Sequence, residues 1–300
     1  MPRFGEIGDP TAVENLYVEK IVVYVEGEVD ANLYYEIAGS DVRGHLEFRG
    51  PPVGGGGSDA VITRVRAERP VNAKVFGLVD GEAAAKAGAV DKLLECTDLF
   101  FRLDDPGFMG ILFLGQHELE NLLAMSGDLP DVILRDLEPR LIGQITREEV
   151  EKSITEATRI FFFAALIKYA SVTLNHQFRT AGAQGCRTLQ SSQFLDRRGF
   201  RVTLAEIRAQ VAAEGEVTWG QLRREIRRTH QAFVGRLRTA GADVHEVSLA
   251  KLRVADGKSL LKLLKRRYSP GGRWESHLAT AIGGTDFGET FRHHLLAMTT

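Results

Sequence analysis

The stretch VVYVEGEVDANLYYEI, residues 22–37, sets a carboxylate, Glu26, where a β-branched apolar run ends, with Gly27 beside it and Glu28 and Asp30 just beyond. A run of this kind reads as a strand, and the apolar spacing that follows reads as a helix. Gly27 gives the chain freedom to turn and lets other backbone or a phosphate come close. Glu26 therefore stands at the carboxyl end of a strand, beside a turn, where ligands gather in α/β sheets.

The same alternation continues outward. HLEFRG (residues 45–50) predicts a second strand, SDAVITRVRAE (58–68) a helix capped by Ser58 or Asp59, and AKVFGLVD (73–80) a third strand. GEAAAKAGAVDKLL (81–94) predicts one short helix, followed by the apolar runs DLFFRL (98–103) and GILFLG (110–115) and then HELENLLAM (117–125). Strand and helix alternating at this spacing imply right-handed crossovers and a mostly parallel sheet. Near Thr146 the pattern changes to long helical periods. Thr146 and Glu149 form a capping-box signature ahead of a helix expected to reach about Ala170. A second helix from Trp219 sets Leu222, Ile226, Phe233, Val234 and Leu237 near one face, with Arg223, Arg227 and Arg224, Arg228 as two rows on the other. SGDLP, residues 126–130, is the clearest punctuation. It divides an α/β domain, 1–128, from a basic, mainly helical domain, 129–300.

Three hundred residues, 44% hydrophobic and 26% charged, suit a folded chain with real cores. Its net charge of -2 conceals a division. Residues 1–150 carry 14 Lys+Arg against 27 Asp+Glu, and residues 151–300 carry 24 against 13. An acidic half collects divalent cations and a basic half neutralises phosphates, which points to a polyanionic substrate. The plainer account is two surfaces that attract each other at a domain interface. Cys96 and Cys186 form no C-x-x-C pair, the first ten residues carry no apolar signal segment, and IFFFAALI (160–167) is too short to span a membrane. A cytoplasmic protein with a buried helix at 160–167 is expected.

Asp80 and Glu82 stand two apart after an apolar strand, so an extended chain would point both to one side, at a solvent-facing strand end. A magnesium ion takes one or two such carboxylates and fills its remaining positions with water and phosphate. The competing account is a helix start, where acids favour the positive end of the macrodipole. Glu120, in ELENLL, is read from its position alone as a solvated helix residue. The glycines of GPPVGGGGSDA (50–60) lack a following Lys, and DGKSLL (256–261) lacks the first Gly of a phosphate-binding loop, so neither implies NTPase activity. ADGKSLLKLLKRR (255–267) reads instead as a cationic helix, with Lys258, Lys262, Lys265 and Arg266 on one face for phosphate contact. The histidines show no ligand spacing.

A strand-end Glu-Gly, an intervening strand–helix unit and a strand ending in D-x-E resemble the Toprim domain of topoisomerases, primases and OLD-type nucleases. VVYVEGEVD and GLVDGE carry that resemblance. ELENLL is similar to the acidic element after the last strand in the OLD-like branch. GK-x-LL near the C-terminus resembles the Toprim effector subunits, AriB, of PARIS anti-phage systems. The resemblance implies Glu26 as general acid or base, with Asp80 and Glu82 as catalytic holders of Mg2+ or Mn2+, and Glu26 and Glu120 as further metal-linked carboxylates. The second acid is Glu82 where Asp is commoner. It also implies a toxic, tRNA-cleaving endonuclease, homodimeric when active and held inactive by an ABC-type ATPase. The alternatives are an OLD-type DNA nuclease and a catalytically silent module that binds nucleic acid or a partner. A topoisomerase is disfavoured, since no tyrosine-bearing cleavage domain is evident.

Overall fold

The computed structural model describes residues 20–51, 55–175, 179–182, 185–188 and 197–299. By packing, the chain divides into two units. The first takes the described part of Met1–Ala83 with Thr97–Gly115 and Glu275–Thr300, and the second takes Ala84–Cys96 and Gln116–Trp274. This division is not the linear one drawn near residue 128, because residues from both ends of the chain complete the first unit.

The first unit is an α/β sandwich around a five-stranded sheet of order β2-β1-β3-β5-β4. Its strands are β1 (Ile21–Tyr24), β2 (Leu46–Arg49), β3 (Val75–Val79), β4 (Phe100–Phe101) and β5 (Ile111–Leu114). All pairings are parallel except that of the short edge strand β4 with β5. Every residue of β3 and β5 is buried, as expected of central strands covered on both faces. The connection after β1 runs to β2 on one side, and the chain then crosses back to β3 and on to β5. With right-handed crossovers this reversal puts the helices α1 (Glu28–Ala38) and α2 (Ser58–Glu68) on opposite faces.

On one face Tyr34 of α1 stacks between Phe48 and Phe291, with centroids 5.5 and 6.1 Å away. On the other, α2 lies so close to β3 that a Cβ on Gly77 would come within 2.8 Å of Val61 Cγ1. The cap of α2 differs from expectation. Gly57, at φ 86°, precedes the helix, and no side chain caps it. A positive φ is cheap only for glycine, so the backbone turn took the place of a Ser or Asp cap. The single helix expected over residues 81–94 is two, α3 (Gly81–Lys86) and α4 (Val90–Glu95), because Gly88 at φ 85° breaks the run.

The second unit is mainly helical. Its helices are α4, α5 (Leu119–Met125), α6 (Leu129–Arg135), α7 (Arg147–Thr173), α8 (Arg197–Glu214), α9 (Trp219–Thr239), α10 (Val244–Val254) and α11 (Gly257–Tyr268), with a small hairpin of β6 (Arg179–Gly182) and β7 (Gly185–Thr188). Thr146 and Glu149 form the expected capping box of α7. The apolar run is the buried middle of that helix, with Phe161, Phe162, Leu166 and Ile167 in the core. No helix among the described residues is long and apolar enough to cross a membrane. The helices α12 (Trp274–Gly283) and α13 (Asp286–Thr299) follow, and α13 belongs wholly to the first unit.

Candidate active site

In the first unit, β1 and β3 lie side by side and parallel, and their outgoing connections depart to opposite sides. The crevice between their carboxyl ends is the switch point where open α/β sheets bind ligands. The chain puts Glu26 two residues past β1 and Asp80 one residue past β3. The Asp80 backbone N–H donates to Glu26 Oε1 at 3.1 Å, so two acids 54 residues apart in sequence meet at this crevice.

Glycines make the meeting possible. A Cβ on Gly50 would lie 2.7 Å from the Glu28 amide nitrogen, so the end of β2 packs against the β1–α1 turn only without a side chain. Gly57 donates its N–H to the Glu26 carbonyl at 3.1 Å. The described glycines after residue 54 are thus part of the backbone support of Glu26, as a loop beside the site. Residues 52–54 lie outside the described residues.

The structure decides between the two readings of Asp80 and Glu82 and corrects one detail. The chain does not stay extended after Asp80. Gly81 already belongs to α3, and the Ala83 N–H donates to the Asp80 carbonyl at 3.0 Å. Glu82 therefore lies in the first turn of a short helix, the arrangement that the macrodipole favours for acids. Asp80 does not face solvent either; it is only 5% exposed. Burial of an acid among hydrophobic strand ends is costly unless hydrogen bonds or a cation compensate it. Glu26 and Glu82 are half-buried.

Glu120 lies in the second unit, in the first turn of α5, and is half-buried. The residues around it form a polar lock that the sequence did not announce. Asn121 has no exposed surface. Its Nδ2 donates to the carbonyls of Leu252, at 2.6 Å, and Ala255, at 2.9 Å, while Oδ1 accepts the Glu118 N–H at 2.8 Å. Glu118 in turn accepts the Lys258 backbone N–H at 2.9 Å, and Lys258 Nζ stands 3.8 Å away. A Cβ on Gly257 would meet Asn121 Oδ1 at 2.7 Å, so the glycine of DGKSLL is required by contact with the asparagine of ELENLL. His117 donates its backbone N–H to the Arg253 carbonyl at 2.9 Å, and its Nδ1 is 2.8 Å from the Tyr169 hydroxyl. Asp256, 4% exposed, pairs with Lys168 at 2.6 Å and caps α11 by accepting the Ser259 N–H.

The basic residues are mostly surface groups. Arg223 and Arg227 are exposed on α9, and Lys262, Lys265 and Arg266 are exposed on α11. Lys258 is exposed too but leans on Glu118. On α9 the outer arginine rows are uneven, since Arg228 pairs with Glu225 at 2.7 Å and Arg236 pairs with Glu95. Burial lowers the Arg253 pKa from its usual value, and its guanidinium is used on the carbonyls of Leu93 and Leu94. Compared with protein-family models and with curated proteins, the chain matches none.

Proposed function

We propose that the chain is a metal-dependent endonuclease of the Toprim type, a toxic anti-phage effector whose favoured substrate is RNA, in particular tRNA. The observation that carries the reading is the meeting of Glu26 and Asp80 at the switch point of a mostly parallel sheet, through the 3.1 Å hydrogen bond. The resemblance of VVYVEGEVD and GLVDGE to Toprim motifs supports the reaction class. The excess of base in residues 151–300 supports a polyanionic substrate. Restraint by an ABC-type ATPase and activity as a homodimer belong to the same proposal and rest on the resemblance of GK-x-LL to PARIS effectors.

The donor set suits magnesium or manganese, because Asp80, Glu82 and Glu26 offer only hard oxygen ligands. Asp80 and Glu82 would hold the ion, with Glu26 as a further carboxylate. Bound there, the metal supplies charge neutralisation at the scissile phosphate and a lowered pKa of bound water. Glu26 takes a proton from the attacking water onto its carboxylate and returns it to the leaving oxygen. The Asp80 N–H on Oε1 fixes the orientation of that carboxylate. Exposed Arg223, Arg227, Lys262, Lys265 and Arg266 hold phosphates and position the strand without reading its sequence. Lys258 contributes to the same basic helix from beside Glu118.

The test is incubation of the purified chain with magnesium, total tRNA and plasmid DNA, each with a chelator control. Magnesium-dependent cutting of tRNA that Glu26→Gln abolishes is the expected result. Cut plasmid beside intact tRNA selects an OLD-type DNA nuclease. Binding without cleavage of either substrate selects a catalytically silent module.

A further inference from the structure

The helices α7, α8 and α9 of the second unit line an open cavity of about 440 Å³. Its floor is apolar, with Leu166 and Ile167 of α7 and Ile226 of α9, and Leu204 of α8 forms one wall. Along α9, Trp219, Arg223, Arg227 and His230 follow one another at helical spacing of three or four, with Ile226 beside Arg227, so one side of the helix presents them to the cavity. Trp219 is half-buried, whereas both arginines are exposed at the rim. No Asp or Glu lines the cavity among the described residues. Neither Arg223 nor Arg227 has a carboxylate partner among the described residues, in contrast with Arg228 and Arg236 on the same helix. The local field is positive: burial, and then Lys251 and Arg238, lower the pKa of His230.

An indole and an aliphatic floor flanked by two exposed guanidinium groups match the two halves of one ligand, a flat apolar ring and the phosphates on either side. Aromatic side chains stack bases of any identity, and arginines track the backbone between them. Arg223 and Arg227 are one helical turn apart, about 6 Å along the axis. We propose that this cavity binds one unstacked nucleotide of a single-stranded segment, its base against Trp219 and the apolar floor and its flanking phosphates on Arg223 and Arg227. The inference rests on the nucleic-acid reading above and adds to it a substrate class. Single strands and loops enter the cavity, whereas a base held within a duplex does not.

The chain carries its own probe. It has two tryptophans, and the other, Trp274, is wholly buried, so quenching by a stacked base reports on Trp219. The full chain, in chelator so that no strand is cut, is titrated with a short oligouridylate and with the same strand annealed to oligoadenylate. The single strand is expected to quench the fluorescence and the duplex to leave it nearly unchanged. Trp219→Phe should lose the quench while binding the strand by anisotropy almost as well as wild type. Trp219→Ala should bind roughly 5- to 150-fold more weakly. Arg223→Ala and Arg227→Ala should each flatten the slope of log K against log salt by about 0.7.

Equal quenching by single strand and duplex, or unaltered affinity in Trp219→Ala, would overturn the proposal. So would quenching by a Glu-rich amphipathic peptide that oligouridylate does not displace, which would assign the cavity to a protein partner. Because no cleavage is measured, the two readings fail separately. An active nuclease without the quench sinks this inference alone, and an inactive chain with the quench sinks only the assigned chemistry.

Discussion

Two pairs of motifs in this chain are made from the same residue types and put to different use. VEGEVD with LVDGE, in the first unit, brings Glu26 and Asp80 together at two strand ends, where the Asp80 N–H donates to Glu26 Oε1. HELEN with DGKS, in the second, binds its Asn, Glu, Asp and Gly into helix caps and backbone carbonyls, with Asn121 alone making three hydrogen bonds. In the first pair the acids lie side by side at the crevice between two parallel strand ends. In the second, the polar atoms hold α10 and α11 to α5. Acids beside glycines are therefore no guide to catalysis until their partners are known. The partners are set by which backbone groups the fold leaves unsatisfied nearby.

The contrast breaks if catalysis does not depend on the first pair. Glu26→Gln keeps the size of the side chain but cannot exchange a proton. Cleavage should fall by roughly 10² to 10⁴-fold. The check is the rate across a magnesium titration; recovery at high metal would show that Glu26 only recruits the ion. Asp80→Asn should abolish cleavage as well, and unchanged activity at saturating magnesium would remove the assigned site. The fold should survive this isosteric change, since the Asp80 backbone bonds remain.

The second pair should show the opposite profile, a loss of stability. Asn121→Ala leaves two buried carbonyls and the Glu118 N–H without their partner, at a cost of about 1–3 kcal/mol for each group left unsatisfied. Gly257→Ala forces a Cβ into Asn121 and should cost about 1–3 kcal/mol. Urea unfolding of the full chain measures both. A variant of either kind that unfolds like wild type would mean that the lock contributes nothing to stability. The pair Lys168–Asp256 belongs to the same test, discounted because the Lys168 side chain is 28% exposed.

A smaller effect separates the exposed bases from both pairs. Lys262→Ala and Lys265→Ala should leave unfolding unchanged and weaken binding about equally for unrelated sequences, each reducing the salt slope by roughly 0.7 to 0.9. An unaltered slope would move these lysines away from the nucleic acid.

The smallest effect concerns His230. Burial, with Lys251 and Arg238 nearby, lowers its pKa in the folded chain. The unfolded chain then binds more protons near and below the ordinary histidine value of about 6.5, so stability should rise with pH through that region and fall as the solution becomes more acid. Replacing His230 with Phe should flatten this part of the pH–stability curve. A wild-type curve that rises on acidification would contradict the sign.

The periodicities in the sequence located the strands and most of the helices because each records a backbone pattern of short range. Thr146 and Glu149 marked the start of α7 for the same reason, since a capping box is complete within four residues. Gly57 and Gly88 escaped this reading. A glycine in the left-handed region has the same letter as any other, and its φ is set by where the next element must go. Glu26 and Asp80 were each legible as strand-end acids, but nothing in either motif states that they meet, because the stretch of chain between them is silent about strand order.

The sequence by itself determined the α/β alternation, the change to helical periods near Thr146, the opposite charges of the two halves and the two acids at the carboxyl ends of strands. Those properties follow from side-chain spacing and counting. Only the tertiary structure decided that Asp80 is buried. It also decided that Gly257 makes way for Asn121 and that Trp219 shares a cavity with Arg223 and Arg227. The physical reason is common to all three. Burial, hydrogen-bond partners and steric room depend on groups brought together from distant parts of the chain, and no local pattern records them.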